Sequence, residues 1–186
     1  TFILAVFVSL VSENLMRNLN LLTATFILNL IILLGVIFDI IGTAVTAADE
    51  KPFHSMASNK VLEARYAIKL IKNAGKVSNF CNDVIGDIAG IISGAAGTII
   101  VIKLISSYDL NNIAIISVII SSIIASVTVG GKALGKELAL HKTNEIIYIT
   151  SKFLMFLDVK LGIDLLPDKK KKRGRRQNGR LGKFTK

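Results

Sequence analysis

The sequence predicts an all-α fold: a polytopic membrane helical bundle of about four membrane helices, the first truncated, with amphipathic helices at the membrane surface. Three observations carry this expectation. Hydrophobic residues make up 52 % of the 186, charged residues only 19 %, and mean hydropathy is +0.59, whereas a soluble domain carries about 25 % charged residues. The apolar residues come in long runs with almost no charge. Lys and Arg are concentrated in particular loops, as in chains that cross a membrane. This composition excludes a disordered chain, a disulfide scaffold and an ordinary cytosolic enzyme core. Cys81 stands alone, so no intrachain disulfide can form.

The first run, Thr1 to Val11, is uncharged and shorter than the roughly 20 residues a crossing needs. It reads as the C-terminal half of a membrane helix trimmed at its N-terminus, because no small-x-small cleavage site follows it. Residues 1–20 thus form a partial helix and a short loop. The second run, Leu21 to Ala48, is 28 residues long with one charge, Asp39. At ~1.5 Å per residue it reaches about 42 Å, more than a hydrocarbon core of about 30 Å, so its end projects or tilts. The third run, Phe80 to Ile105, carries Asp83 and Asp87 near its start and Lys103 near its end. The fourth, Ile113 to Leu134, is uncharged until Lys132.

Between the second and third runs lie Lys51, Lys60, Arg65, Lys69, Lys72 and Lys76, whereas Ser106–Asn112 holds no Lys or Arg. The positive-inside rule therefore places Asp49–Asn79 and the C-terminus in the cytoplasm. Four crossings put the N-terminus there too, in what reads as a plasma-membrane protein. Ser58 or Asn59 is expected to cap a helix that stops at Asn73-Ala74-Gly75. Its stripe is Val61, Ala64, Ile68 and Ile71. A second amphipathic helix starts near Thr143. Lys152 interrupts its apolar run, so it is expected to lie in the inner interface rather than to make a fifth crossing. The membrane domain is expected to span residues 21–166, and 167–186 to form a disordered polybasic tail.

That tail holds ten of the 23 Lys and Arg residues and no acid after Asp168, which leaves the rest of the chain neutral. Lys169, Lys170, Lys171, Lys172, Arg173, Arg175 and Arg176 suit anionic headgroups of the inner leaflet. Nucleic acid is the weaker partner, since no aromatics interleave the cations.

Ionisable residues within a span are costly and mark functional positions. In this topology Asp39, Asp83, Asp87 and Lys132 all fall in the cytoplasmic half of the membrane, with Asn82, Thr43 and Thr46. Asp83 and Asp87, four apart, share a helix face. Oxygen ligands gathered there suit a hard cation such as Mg²⁺. The competing reading pairs Asp87 with Lys132 and leaves Asp83 in the wet interface. Gly86, Gly90 and Gly94 recur every four residues, a helix-packing pattern in lipid. Gly130, Gly131 and Gly135 suit a break in the fourth helix whose free carbonyls line a cavity. His54 and His141 have no metal-ligand spacing. No phosphate loop, G-x-S-x-G or H-E-x-x-H is present, and nothing points to an enzyme.

Three places resemble the transmembrane domain of the CorC/CorB and cyclin M (CNNM) magnesium transporter family. Gly42-Thr43-Ala44-Val45-Thr46-Ala47 looks like the family's S-G-S-E-T-A-L-T-A run. Ala67-Ile68-Lys69-Leu70-Ile71, leading into Phe80-Cys81-Asn82-Asp83, looks like its A-L-K-L-L and L-G-N-T segments. Gly131-Lys132-Ala133-Leu134-Gly135-Lys136 looks like its G-E-x-x-P-K motif. The resemblance covers Phe38 to about Gly162 and implies a homodimer that binds Mg²⁺, with Co²⁺ as a second cation, in a cytoplasm-facing cavity. Asn82 matches the family Asn, and a second family Asn falls on Gly86 beside Asp87. Ile41-Gly42 stands where the family has Ser-Glu, and Lys132 stands where it has Glu. The family commonly carries CBS nucleotide-binding modules, and here a basic tail follows instead. The site is therefore expected either to be rebuilt from Asn82, Asp83, Asp87, Asp39 and Thr43, with Lys132 as counter-charge, or to be lost. The resemblance tips the expectation toward the first outcome, a divalent-cation transporter or exchanger; the alternative is a non-transporting membrane scaffold or accessory protein with the same fold and a lost ion site.

Overall fold

The computed structural model describes residues 2–108 and 113–161, with backbone only at 4, 15, 107, 108, 113 and 161. The basic tail lies outside the described residues. Every regular element described is helical, as the sequence predicts: α1 Phe2–Arg17, α2 Leu21–Ala47, α3 Lys51–Ser58, α4 Leu62–Lys72, α5 Ala74–Ser78, a π-helical segment Asn79–Gly86, α6 Asp87–Tyr108, α7 Ile113–His141 and α8 Thr143–Leu161. Among the described residues three helices are long and apolar enough to cross a membrane: α2, the rod Ala74–Ser106 that runs from α5 through the π segment into α6, and α7. α1 is shorter, its apolar stretch being Ala5–Asn14. α8 is not among the three.

α2 is the axis of the bundle. It packs against α6, α7, the π segment, α5 and α8. Its buried positions Ala24, Leu28, Ile32, Gly35, Asp39, Gly42 and Val45 follow spacings of three and four, so they form one helix face. Leu22, Phe26, Leu30, Leu33, Leu34 and Ile37 remain exposed. That is the inverse of a soluble helix, where such residues would be hidden, and it suits a solvent of lipid tails.

Two apolar clusters hold the ends. At one end Met16 packs with Ala24, Leu28 and Ile32 of α2 and with Ala96, Ile99 and Ile100 of α6. Lys103 binds α1 there: its Nζ donates to the carbonyls of Arg17, at 3.0 Å, and of Leu19. A cation at these carbonyls complements the negative end of the helix. At the other end Ala44, Val45, Phe53, Ala67, Ala139 and Ile147 join α2, α3, α4, α7 and α8. Tyr66 Oη of α4 donates to Asp158 Oδ2 of α8 at 2.5 Å.

Three local expectations are corrected. Ser58 and Asn59 do not start the amphipathic helix: they end α3, whose N-terminus carries Pro52 at its first positions, where a missing N–H costs nothing. Lys60 then adopts φ 64°. Lys60 N–H donates to Ala57 O at 3.1 Å and Val61 N–H to Met56 O at 3.2 Å, the paired bonds of a Schellman stop. α4 follows from Leu62. Asn73 does close α4, but the chain re-enters a helix at Ala74, so the stop is a bend.

The third correction concerns the expected break at Gly130, Gly131 and Gly135. α7 runs through it without interruption. A Cβ on Gly135 would lie 2.9 Å from Ile40 Cγ1 and one on Gly131 3.2 Å from Val36 Cγ2, so these glycines admit α2 instead of breaking α7. The irregular turn lies in the third run, at Asn79–Gly86. Of the expected packing glycines, Gly86 is crowded, Gly90 has only Lys132 Nζ at 4.0 Å, and Gly94 faces open space.

Candidate functional site: a lysine-filled polar cluster in the membrane helices

The polar residues of the spans meet where α2, the π segment and the C-terminal half of α7 converge. On α2, Asp39 and Gly42 lie on the buried stripe, so both face inward. The π segment sets Gly86 opposite Asp39 and Asn82 opposite Gly42. A Cβ on Gly42 would overlap Asn82 Oδ1. The missing side chain at 42 is therefore what makes room for the Asn82 amide. A Cβ on Gly86 would lie 3.7 Å from Lys132 Nζ and 3.8 Å from Asp39 Oδ1, so an ammonium and a carboxylate converge on one point. A π turn inserts one residue into the helical hydrogen-bond ladder and is a frequent feature of functional helices.

Lys132 and Lys136, four apart on α7, enter this region from the same face. Lys132 Nζ donates to Gly86 O at 2.8 Å and lies 3.8 Å from Asp87 Oδ1. Lys136 Nζ lies 3.7 Å from Asp39 Oδ2. Asp39 is the buried acid of the cluster, 3 % exposed. The Asp87 side chain is 69 % exposed, and Asp83 is exposed as well. Asp39 Oδ2 and Asn82 Oδ1 are buried without a hydrogen bond. Asn82 Nδ2 donates to Ser78 Oγ at 3.3 Å, and Thr43 is half-buried on α2.

The expected ligands are thus divided. Asp39 and Asn82 face the same α2–π seam, at Gly86 and Gly42, Asp87 reaches it through Lys132, Thr43 is half-buried beside Gly42, and Asp83 stays on an exposed face. Among the described residues no three His, Cys, Asp or Glu side chains gather closely enough to hold a metal ion. Chemically, the cluster can neutralise a buried carboxylate with a tethered ammonium and satisfy a carbonyl at the π turn with another. Buried charges require such partners, because leaving one unpaired costs several kcal/mol.

Sequence reasoning ended the fourth apolar run at Leu134 and did not name Lys136 as a site residue. Its i,i+4 spacing from Lys132 was the available signal, since it puts both ammoniums on one face of α7. The function of Gly42 as a recess for Asn82 had no signal in one sequence. His54, read as isolated, lies 3.1 Å from Glu50 Oε2 through its Nε2. Comparison with protein-family models, curated proteins and solved structures finds no match for the chain.

Proposed function

We infer that the chain is an integral membrane protein that resembles divalent-cation transporters but fills its own intramembrane cation site with lysine, and that it acts as a non-transporting scaffold or accessory protein. The observation that carries this reading is the Lys132 ammonium, 2.8 Å from Gly86 O and 3.8 Å from Asp87, at the position where the resemblance calls for a cation ligand. With Lys136 beside Asp39, two acids face two ammoniums and the cluster is neutral without a metal. A divalent ion held about 4 Å from one ammonium meets repulsion of about 8 kcal/mol at an effective dielectric of about 20. The lysine-rich α3–α4 segment faces the cytoplasm in this reading.

A second reading, cation transport, is favoured by the two buried oxygens that lack donors, Asp39 Oδ2 and Asn82 Oδ1. There Lys132 and Lys136 act as tethered counter-ions that leave when Mg²⁺ enters. Mg²⁺ flux into proteoliposomes separates the two. The scaffold reading expects no flux from the folded chain. It also expects Mg²⁺ binding to emerge in K132Q/K136Q, which leaves Asp39 and Asp87 without their ammoniums. Flux from the unaltered chain that Asp39→Asn abolishes would overturn it in favour of transport.

A further inference from the structure

We propose that the groove between α4 and α8 is a binding site for one anionic phospholipid, its phosphate held by Arg65, Lys69 and Lys72 and its acyl chain laid along Met155 and Val159. This inference rests on the membrane reading and is independent of whether the polar cluster carries an ion.

The groove has a volume of about 540 Å³, within the range of small-molecule sites. Its two walls differ in chemistry. Arg65, Lys69 and Lys72 line the α4 side at spacings of four and three, so they form one cationic rail. Met155 and Val159, four apart on α8, form the opposite wall, with Leu62 and Ile68 completing the apolar lining. Among the described residues that line the groove none is acidic. The nearby carboxylate of Asp158 accepts from Tyr66 Oη, which ties α4 to α8 beside the groove. Lys69 lies over the Tyr66 ring at 5.5 Å. Lys72 sits 4.0 Å from Glu50 with more than half its side chain exposed, and such a loose surface pair contributes 1 kcal/mol or less. It therefore yields readily to a phosphate.

The apolar wall is continuous with an exposed apolar surface of α8. Ile149, Phe153, Phe156 and Val159 are exposed along α8, at spacings of four, three and three. An interfacial helix with cations at its edge and an apolar face toward the acyl chains is the arrangement that retains anionic lipid. A soluble phosphate would use the cations and leave the apolar wall unfilled. A phospholipid uses both.

The test is native mass spectrometry of the full chain in detergent, titrated with dioleoylphosphatidylglycerol or dioleoylphosphatidylcholine. The tail cations Lys169 to Arg176 are changed to Gln in every arm, so that the tail adds no lipid of its own. The expected result is one retained phosphatidylglycerol and no retained phosphatidylcholine. Each neutralised cation should weaken binding about fivefold, and R65Q/K69Q/K72Q on the order of a hundredfold. Val159→Asp, which leaves the cations intact, should also abolish retention. Unreactive Cys81 in each variant shows that the chain is folded. Equal retention of the two lipids, unchanged retention in the triple variant, or full displacement by millimolar inorganic phosphate would each overturn the proposal, the last by making the ligand a soluble anion.

Discussion

Removing the Lys136 ammonium while keeping its aliphatic stem, as Lys136→Met does, leaves Asp39 with a buried carboxylate whose Oδ2 has no hydrogen bond. Breaking a fully buried ion pair from one side costs about 3–5 kcal/mol. Two features reduce that figure. The pair is separated by 3.7 Å and the Lys136 side chain is 54 % exposed, against 5 % for Asp39, so water already screens one partner. About 2 kcal/mol is then expected, which for a chain of this size lowers Tm by about 4–8 °C. The protein carries its own probe. Cys81 is its only cysteine and is buried, so a thiol-reactive dye in detergent reports unfolding directly. Asp39→Asn alone should cost less, because a neutral amide needs no cation. The double variant D39N/K136M should be more stable than the sum of the two singles implies, with a coupling of about 1 kcal/mol or more. A Tm for Lys136→Met within 1 °C of the unaltered chain, or strict additivity in the cycle, would refute the idea that Lys136 neutralises Asp39.

Other substitutions probe the local geometry. Lys60 holds φ 64° in the Schellman stop of α3, so Lys60→Gly should raise stability by about 1 kcal/mol in the same Cys81 assay, through relief of the left-handed strain. An unchanged or lower Tm would show that the side chain contributes more than its backbone costs. Gly42→Ala places a Cβ on Asn82 Oδ1 and should destabilise by about 1–3 kcal/mol. G42A/N82A should recover most of that loss, and failure to recover would separate Gly42 from Asn82. Lys103→Met removes the cation from the α1 carbonyls. Amide exchange in the last turn of α1 should then quicken about two- to fivefold, the equivalent of about 0.5–1 kcal/mol of local opening. Unchanged exchange would mean that Met16 packing alone holds α1 in place.

The long elements were legible because hydropathy acts over whole helices. α2 ends at Ala47, one residue before the end of the apolar run, and α8 begins at Thr143, where the sequence signals placed it. α3 was missed although Pro52 at its start was a usable signal. Eight residues of mixed polarity carry no apolar run to follow, and Phe53 anchors them through contacts distant in sequence. The glycines of α7 were misread for a different reason. A glycine in a membrane helix either releases the backbone or admits a neighbour, and the choice depends on what lies opposite. Opposite Gly131 and Gly135, Val36 and Ile40 of α2 occupy the space, while Gly130 faces open space. The π segment had no legible signal, because nothing in Asn79–Gly86 distinguishes a wide turn from a regular one until its neighbours are in place.

The polar site shows the same division between what periodicity fixes and what only packing decides. Spacing alone put Asp83 and Asp87 on one face and suggested that they would converge with Asp39. Both instead remain exposed while Asp39 is buried, because the buried face of the π segment is drawn through Cys81 and Gly86. Asp39 must then be neutralised from another helix. α7 offers two lysines one turn apart, and the turn that brings Lys132 to Gly86 O places Lys136 beside Asp39. The acid buried on α2 thus takes Lys136, while Lys132 one turn away satisfies the π-turn carbonyl. A mobile ion that entered this site would have to displace an ammonium tethered to α7. That requirement, more than the count of acidic residues, is what favours a filled site over an open one.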